Sequence, residues 1–365
     1  MHKDNKSSSD RQVSTIASRT VGLDVGDRFS HFCELDGDGE IAMQGRVRTT
    51  AEAMRAQFGH RQRMRVALEV GAHSGWLQRL LAELGHEALV ANARELRRIH
   101  QSERKNDRND AQLLARLARV DPQLVSPIRH RSAQAQADLS VLRGRDVLVR
   151  SRTALINAAR GIVKSLGSRL PVCSAEAFVH RVEPVIPPAL TVALTPLLET
   201  IATINLQIRA ADRQVTRLAR ERYPQTHVLQ RIVGVGPVTS LAFILTIDDH
   251  ARFAHSRQLG AYLGLVPRQS SSGESVPQLG ITKTGNPYLR RLLVGCAQHI
   301  MGPFGPDTDL RRFGLRLAHR GGKNAKKRAV VAVARKLAVL LHRLWVTSEV
   351  YQPLRNATSP APAAA

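Results

Sequence analysis

Cysteine is nearly absent. Cys33, Cys173 and Cys296 are the three in 365 residues, and they lie far apart. They form no CxxC pair and no zinc spacing, so they read as small core residues in a reducing compartment. Aromatic residues are 4% of the chain, which argues against a single-strand binder built on a platform of stacked rings. Acid is short as well: 30 Asp and Glu against 54 Lys and Arg leave a formal charge of +24. Such an excess calls for a polyanion, most simply nucleic acid, with an anionic membrane surface as the competing reading. No apolar run reads as long enough to span a bilayer, so no membrane partner is expected. Met1 to Arg19 is polar and Ser-rich, so no secretory leader is expected. The expected location is the cytoplasm, associated with the nucleoid. No GxSxG elbow is present, and no histidine is placed to pair with a serine, which leaves esterase chemistry unsupported.

Against this basic background one acidic stretch stands out, Lys105-Asn106-Asp107-Arg108-Asn109-Asp110-Ala111. It opens an amphipathic helix, and a spacing of three puts Asp107 and Asp110 on one face with Leu114 and Leu117. Carboxylates on a burying stripe need a cationic partner, either a salt bridge or a metal. The plainer alternative is a helix start carrying two solvated acids.

Around that helix the pattern predicts a mixed α/β domain over residues 19–130, after a disordered arm at 1–18. Strands are expected at Thr20–Gly26, Phe29–Leu35 and Ile41–Val47, with Asp36-Gly37-Asp38-Gly39 as a turn. A helix (Ala51–Phe58), a strand (Arg65–Val70), a helix (Ser74–Leu84) and a strand (Ala88–Ala91) follow, then a basic helix near Arg94–His100. Residues 131–225 turn helical. Leu190, Leu194, Leu197, Ile201, Ile204, Ile208, Ala211, Val215 and Leu218 alternate steps of four and three, the mark of a coiled-coil seam. Pro196 predicts a kink or a fresh start. The expected form is an antiparallel helical hairpin, and either a dimerisation arm or ordinary packing inside the domain explains its seam. Residues 226–348 form a third, mainly α unit, and 349–365 a disordered Pro/Ala-rich tail.

That third unit opens on Val233-Gly234-Val235-Gly236-Pro237, which reads as a helix-hairpin-helix turn. There Gly234 and Gly236 let backbone N–H groups approach a phosphate, unless this is an ordinary Gly-Pro turn. Arg311 to Arg343 carries eleven lysines and arginines and no carboxylate, an electrostatic footprint for phosphate. Between them lies Pro267-Arg268-Gln269-Ser270-Ser271-Ser272-Gly273, followed by Gly280 to Arg291. A serine beside glycine, flanked by Arg268, Lys283 and Arg290, has the chemistry to attack a phosphate whose charge those cations stabilise. A plain polar loop is the alternative.

The acids of the first domain make a set. Asp24 interrupts an apolar strand, Glu69 ends another, and Asp107 and Asp110 complete four carboxylates where a structural protein prefers apolar groups. Converging, they suit hard divalent cations such as Mg²⁺. With the meander-first pattern they point to a ribonuclease-H-like nuclease core.

These motifs together resemble the DEDD-type insertion-sequence transposases, insertion-sequence family one-hundred-ten, with their invertase relatives. The resemblance runs from about Val21 to about Leu344. It rests on "VGLDVG", "VALEVG", "KNDRNDA", "GVGPVTS", "LGAYLGLVPRQSSSG" and "GITKTGNPYLRRLL". It implies a resolvase-like N-terminal domain with Asp24, Glu69, Asp107 and Asp110 as Mg²⁺ ligands. It implies Ser272, or Ser271 one register away, as nucleophile in a covalent link to DNA. It further implies donor and target DNA as partners, a structured guide RNA, and a homo-oligomer, dimer or tetramer, that brings acids and serine together from different protomers. A water-using Mg²⁺-dependent junction resolvase and a site-specific invertase are the nearest rivals. An actin-like ATPase, suggested by "GLDVG", lacks its further phosphate loops. A non-catalytic nucleic-acid binder, its acids paired with arginines, is the remaining rival.

Overall fold

The structure, a computed structural model, describes residues 19–92, 107–269 and 279–356. The expected arm at 1–18, the basic helix near 94–100, Lys105, Asn106, Ser271, Ser272 and the end of the tail from 357 lie outside the described residues. The chain divides into two compact units, Met1–His130 and Arg131–Ala365.

In the first unit β1 (Thr20–Val25), β2 (Phe29–Leu35) and β3 (Ile41–Arg48) form an antiparallel meander, with α1 (Ala51–Phe58) after it. The turn before β3 forms because Asp36 Oδ1 accepts from the backbone N–H groups of Asp38, Gly39 and Glu40. Then come β4 (Arg65–Glu69), α2 (Ser74–Glu83), β5 (Glu87–Ala91) and α3 (Asp107–Val120). The sheet order is β3-β2-β1-β4-β5, with β4 parallel to both β1 and β5. Alternation divides the sheet's side chains between two layers. Val21, Leu23, Phe32, Val66 and Leu68 pack with Met54, Phe58, Leu77 and Leu81 of α1 and α2. Cys33 and Leu35 pack with Ala111 and Ala115 of α3, and Ala67 and Ala91 with Leu114 and Ala118. This mixed sheet with helices on both faces is the ribonuclease-H-like α/β pattern.

Gly22 makes the second layer possible. A Cβ there would lie 1.9 Å from the Ala111 carbonyl oxygen and 2.5 Å from the Ala115 nitrogen. The helix backbone therefore rests directly on β1, which a glycine inside a strand permits.

The second unit opens with α4 (Ala133–Ser165) and α5 (Thr191–Arg222), two long helices packed antiparallel. Three polar rungs cross between them. Asp138 accepts from Arg222 at 3.0 Å and from the Tyr223 hydroxyl at 2.7 Å; Arg145 pairs with Asp212; Arg152 donates to Asn205 at 2.8 Å. On α4 these residues are seven apart, one per heptad. Burial opposes ionisation of Asp138, but its Tyr223, Gln134 and Arg222 partners outweigh it and hold the carboxyl below its usual range. The buried seam of α5 follows Leu194, Leu198, Ile201, Asn205, Ile208, Val215 and Ala219. Leu197, Ile204 and Leu218, expected at its centre, are only half-buried. Leu194, Ile201, Ile208 and Val215 are buried as expected; only the alternate positions lie one residue over, because the rungs demand Asn205 and Asp212 facing α4.

Pro196 does not restart the helix, which runs through it. It sits in the second turn, where its missing N–H deprives only the Val192 carbonyl. Val192 is 90% exposed, so water can satisfy that oxygen. The expectation that no apolar run reaches membrane-spanning length is corrected: Pro188–Arg222 has the length, and an 18-residue window within it has a mean hydropathy of 1.5. Only 17% of that window is buried, although the helix pairs with α4 through the rungs above. Asn205→Leu is expected to cost about 2 kcal/mol, the worth of a hydrogen bond to a charged group. Adding Arg152→Met should recover only part of it, since an apolar pair replaces the buried polar one but Glu176 loses its 2.9 Å ion-pair partner. Chemical denaturation midpoints read both effects.

The sequence suggests a boundary near 225, yet one core runs across it. Leu139, Leu142 and Val215 of the helix pair cluster with Leu241, Leu293 and Leu337. Those last three belong to α7 (Pro237–Ile247, preceded by α6, Thr226–Gln230), α8 (Pro287–Met301) and α10 (Ala325–Thr347, preceded by α9, Asp309–His319). Residues 349–356, expected in the disordered tail, are held in place. The Asp309 N–H donates to the Pro353 carbonyl at 2.8 Å, the Asn356 N–H donates to Asp309 Oδ2 at 2.9 Å, and Tyr351 packs on the core.

Candidate active site

Strand alternation sends Asp24 and Glu69 to the face that α3 covers. β1 and β4 are in parallel register with Leu23 beside Leu68, so each acid follows at the end of its strand. The contact of α3 with Gly22 holds Ala111 over β1, and Asp107 and Asp110 precede Ala111 in the first turn of that helix. Four carboxylates thus share one field. Burial first, then repulsion from Asp107, Asp110 and Glu69, pushes the Asp24 carboxyl up from 3.8 to about 6.

Not all four are buried as the helical stripe suggests. The buried face of α3 is Ala111, Leu114, Ala115 and Ala118. Asp110 is half-buried, and the Asp107 side chain is 70% exposed. The first turn is where the stripe leaves the sheet, so the helix start reaches solvent as the plainer reading of that segment allowed. Two histidines missed in the sequence stand here. His31 faces Asp24 across the β1–β2 ladder, and its Nδ1 lies 3.5 Å from Asp107 Oδ2. His73 Nε2 lies 3.5 Å from Asp27 Oδ1. Sheet register alone reveals His31; no linear spacing connects it with Asp107.

Among the described residues no three carboxylate, imidazole or thiolate groups are drawn together closely enough to grip a metal by themselves. The donor set nevertheless fits a divalent cation. It is all oxygen, and the raised Asp24 pKa records negative charge that a bound cation would neutralise.

In the second unit, Arg268 is exposed, and its N–H donates to the Gly280 carbonyl at 2.9 Å beside a Pro267–Ile281 bridge. Lys283 is exposed with φ +56°. Arg290 is placed differently from its expected role: its Nη1 donates to the carbonyls of Leu263 (2.9 Å) and Thr284 (2.7 Å). That nitrogen clamps the loop and is not turned to a phosphate. Gly234, with φ +88°, sits against His299 and Cys296, and Gly236 caps α7. Both line a cavity of about 610 Å³ that also receives Arg291 and His299. Ser272 and Ser271 lie outside the described residues.

A mixed sheet and the helix laid on it, carrying two acids each and followed in sequence by a basic helical unit, are consistent with the DEDD type of transposase. The DEDD transposase profile matches residues 21–167, and that of the "Transposase IS116/IS110/IS902 family" matches 226–310. The transposase for insertion sequence element IS1111A of Coxiella burnetii is 30% identical over 343 residues, covering 92% of this chain and 91% of the relative. The transposase for IS1328 of Yersinia enterocolitica is 32% identical over 243 residues, 65% and 70% of the two chains. The 44.8 kDa protein of insertion element IS116 of Streptomyces clavuligerus is 23% identical, covering 93% and 98%. The chain belongs to the IS110 family of insertion-sequence transposases. It is thus a DNA transposase, an enzyme whose partner is DNA and whose acid domain is of a divalent-metal-dependent type.

Proposed function

We propose that this transposase cuts and rejoins DNA strands through a serine ester, with the four acids as its Mg²⁺ site. The observation that carries this reading is the convergence of Asp107, Asp110 and Glu69 on Asp24, whose ionisation they oppose. Asp24, Glu69, Asp107 and Asp110 hold the metal; when bound it polarises the phosphodiester and offsets charge on the departing oxygen. Ser272, or Ser271 by one register, attacks. A bond forms from its oxygen to phosphorus as one P–O ester bond of the strand breaks. The serine proton leaves to a base, and the freed sugar oxygen takes one up. Attack by another strand's sugar hydroxyl reverses these steps and joins new partners. Arg268 and Lys283 contact phosphate oxygens, and the N–H groups around Gly234 and Gly236 form a helix-hairpin-helix-like backbone contact.

The same reading takes donor and target DNA as substrates and a structured guide (bridge) RNA as the source of sequence choice, for which the +24 charge is permissive. The α4–α5 pair is its coiled-coil arm for a homodimer or tetramer, and the protein works in the cytoplasm at the nucleoid. The alternatives are a junction-resolvase-like nuclease without a covalent step and a site-specific invertase.

Trapping decides between the ester and water. Wild-type protein incubated with Mg²⁺ and a junction substrate should leave a denaturation-resistant protein–DNA adduct, and Ser272→Ala should leave none. A Ser272→Ala protein that still cuts at the wild-type rate would make water the nucleophile.

A further inference from the structure

We propose that a groove in the second unit binds an unpaired stretch of the DNA strand being cut, seating its bases on an aliphatic floor and its phosphates on a cationic rim. The proposal rests on the transposase reading above and names the form of DNA that this face takes.

The groove, about 1400 Å³, runs between α10 and the paired segments around Pro267 and Ile281. Its floor is Leu265, Ile281, Val331 and Val339. Its rim carries Arg268, Lys283, Lys327, Arg335 and Lys336, all exposed, and among the described residues no carboxylate lines it. The rim is not a chance gathering of neutralised charge. Other cations of the Arg311–Arg343 run are paired, Arg312 with Asp307 and Arg343 with Glu349, but those acids stand away from the groove. Lys336 is held 4.4 Å over the Phe313 ring, and the Arg335 side chain lies along Gly260, where a Cβ would meet its Nε at 2.9 Å. Two of the rim cations are therefore positioned by packing.

A duplex hides its base faces inside the stack and presents phosphates, for which a flat basic surface suffices. An apolar floor between two cationic edges instead suits a strand whose bases are unstacked, with aliphatic side chains where aromatic platforms are more usual. The location favours the strand under attack. The chain leaves the rim at Gln269 and returns at Leu279. The segment between them, residues 270–278, carries Ser272 in sequence.

Fluorescence anisotropy with the full-length protein tests this. The probes are a labelled oligodeoxythymidine strand, a hairpin duplex of equal charge, and an RNA strand of equal length. Lys327→Glu with Lys336→Glu should weaken the DNA strand more than tenfold. It should flatten its salt dependence by about 1.4 in log–log slope, two phosphates at about 0.7 each. Duplex binding should fall less than threefold. Val331→Asn should weaken the strand without changing the slope. The milder Lys327→Gln/Lys336→Gln pair, read beside thermal melts, separates loss of contact from loss of fold. Equal losses for strand and duplex, no loss for the strand, or a tenfold preference for the RNA would each overturn the proposal. None of these readouts needs cleavage. A Ser272→Ala protein that keeps strand binding and still cuts refutes the serine ester alone. Unchanged binding in the rim variants beside an intact serine adduct refutes the groove alone.

Discussion

Asp24→Asn should abolish strand cleavage and, measured without divalent ions, make the protein harder to melt. Activity should fall more than about a hundredfold, beyond the loss expected for a residue that only supports a metal ligand. The stability gain has a different origin. In the fold the Asp24 carboxyl is raised by burial and by three neighbouring acids to about 6, against 3.8 for the free group. The folded state then binds more protons than the unfolded one between those values. Stability therefore falls as pH rises through that window and stays reduced above about 6. Discounted for the group's partial exposure, the penalty at neutral pH is about 1 kcal/mol, and Asn removes it. Melting curves at pH 4 and pH 7.5 should thus converge for the variant and diverge for wild type. A variant that melts lower than wild type at pH 7.5 would mean that Asp24 is held by a favourable partner. The metal assignment would then lose its support.

The second large effect is expected at Gly22. Gly22→Ala places a methyl 1.9 Å from the Ala111 oxygen and 2.5 Å from the Ala115 nitrogen. Both are backbone atoms, so no rotamer relieves the clash and α3 has to lift from the sheet. A cost of about 3 kcal/mol, the upper range for overpacking, follows. Because α3 carries Asp107 and Asp110, cleavage should fail even in the fraction that stays folded. Hydrogen exchange should show α3 amides losing protection before those of β1 and β4. A wild-type denaturation midpoint would show that the helix does not rest on this strand.

Much of the first unit was legible in the sequence because its cues are local. Period-two apolar runs placed the strands, and Asp36 with its glycines placed the turn. The same alternation put Asp24 and Glu69 on one face once the strands were known to be parallel neighbours. What stayed hidden depends on partners distant in sequence. Asp107 looks buried on a helical wheel, yet the wheel does not say where the sheet ends. His31 joins the acids only through the β1–β2 register. Arg290 resembles a phosphate ligand until the carbonyls of Leu263 and Thr284 are brought to it. In α5 the apolar spacing pointed to Leu197, Ile204 and Leu218. Asn205 and Asp212 decided the seam through Arg152 and Arg145, and polar residues carry no weight in a search for apolar periodicity.

Those rungs also give the helix pair a mechanical character. Sliding one helix by a heptad would bring Asp138 opposite Asp212 and Arg152 opposite Leu198, so like charges collide and Arg152 loses the Asn205 amide, one of its two acceptors. The pair is thereby locked at one length. With 33 residues in α4 it extends about 50 Å, close to fifteen base pairs of B-form DNA at 3.4 Å each. Whatever docks at its far end is kept at a constant distance from the core at its root, as by a calliper whose jaws do not creep.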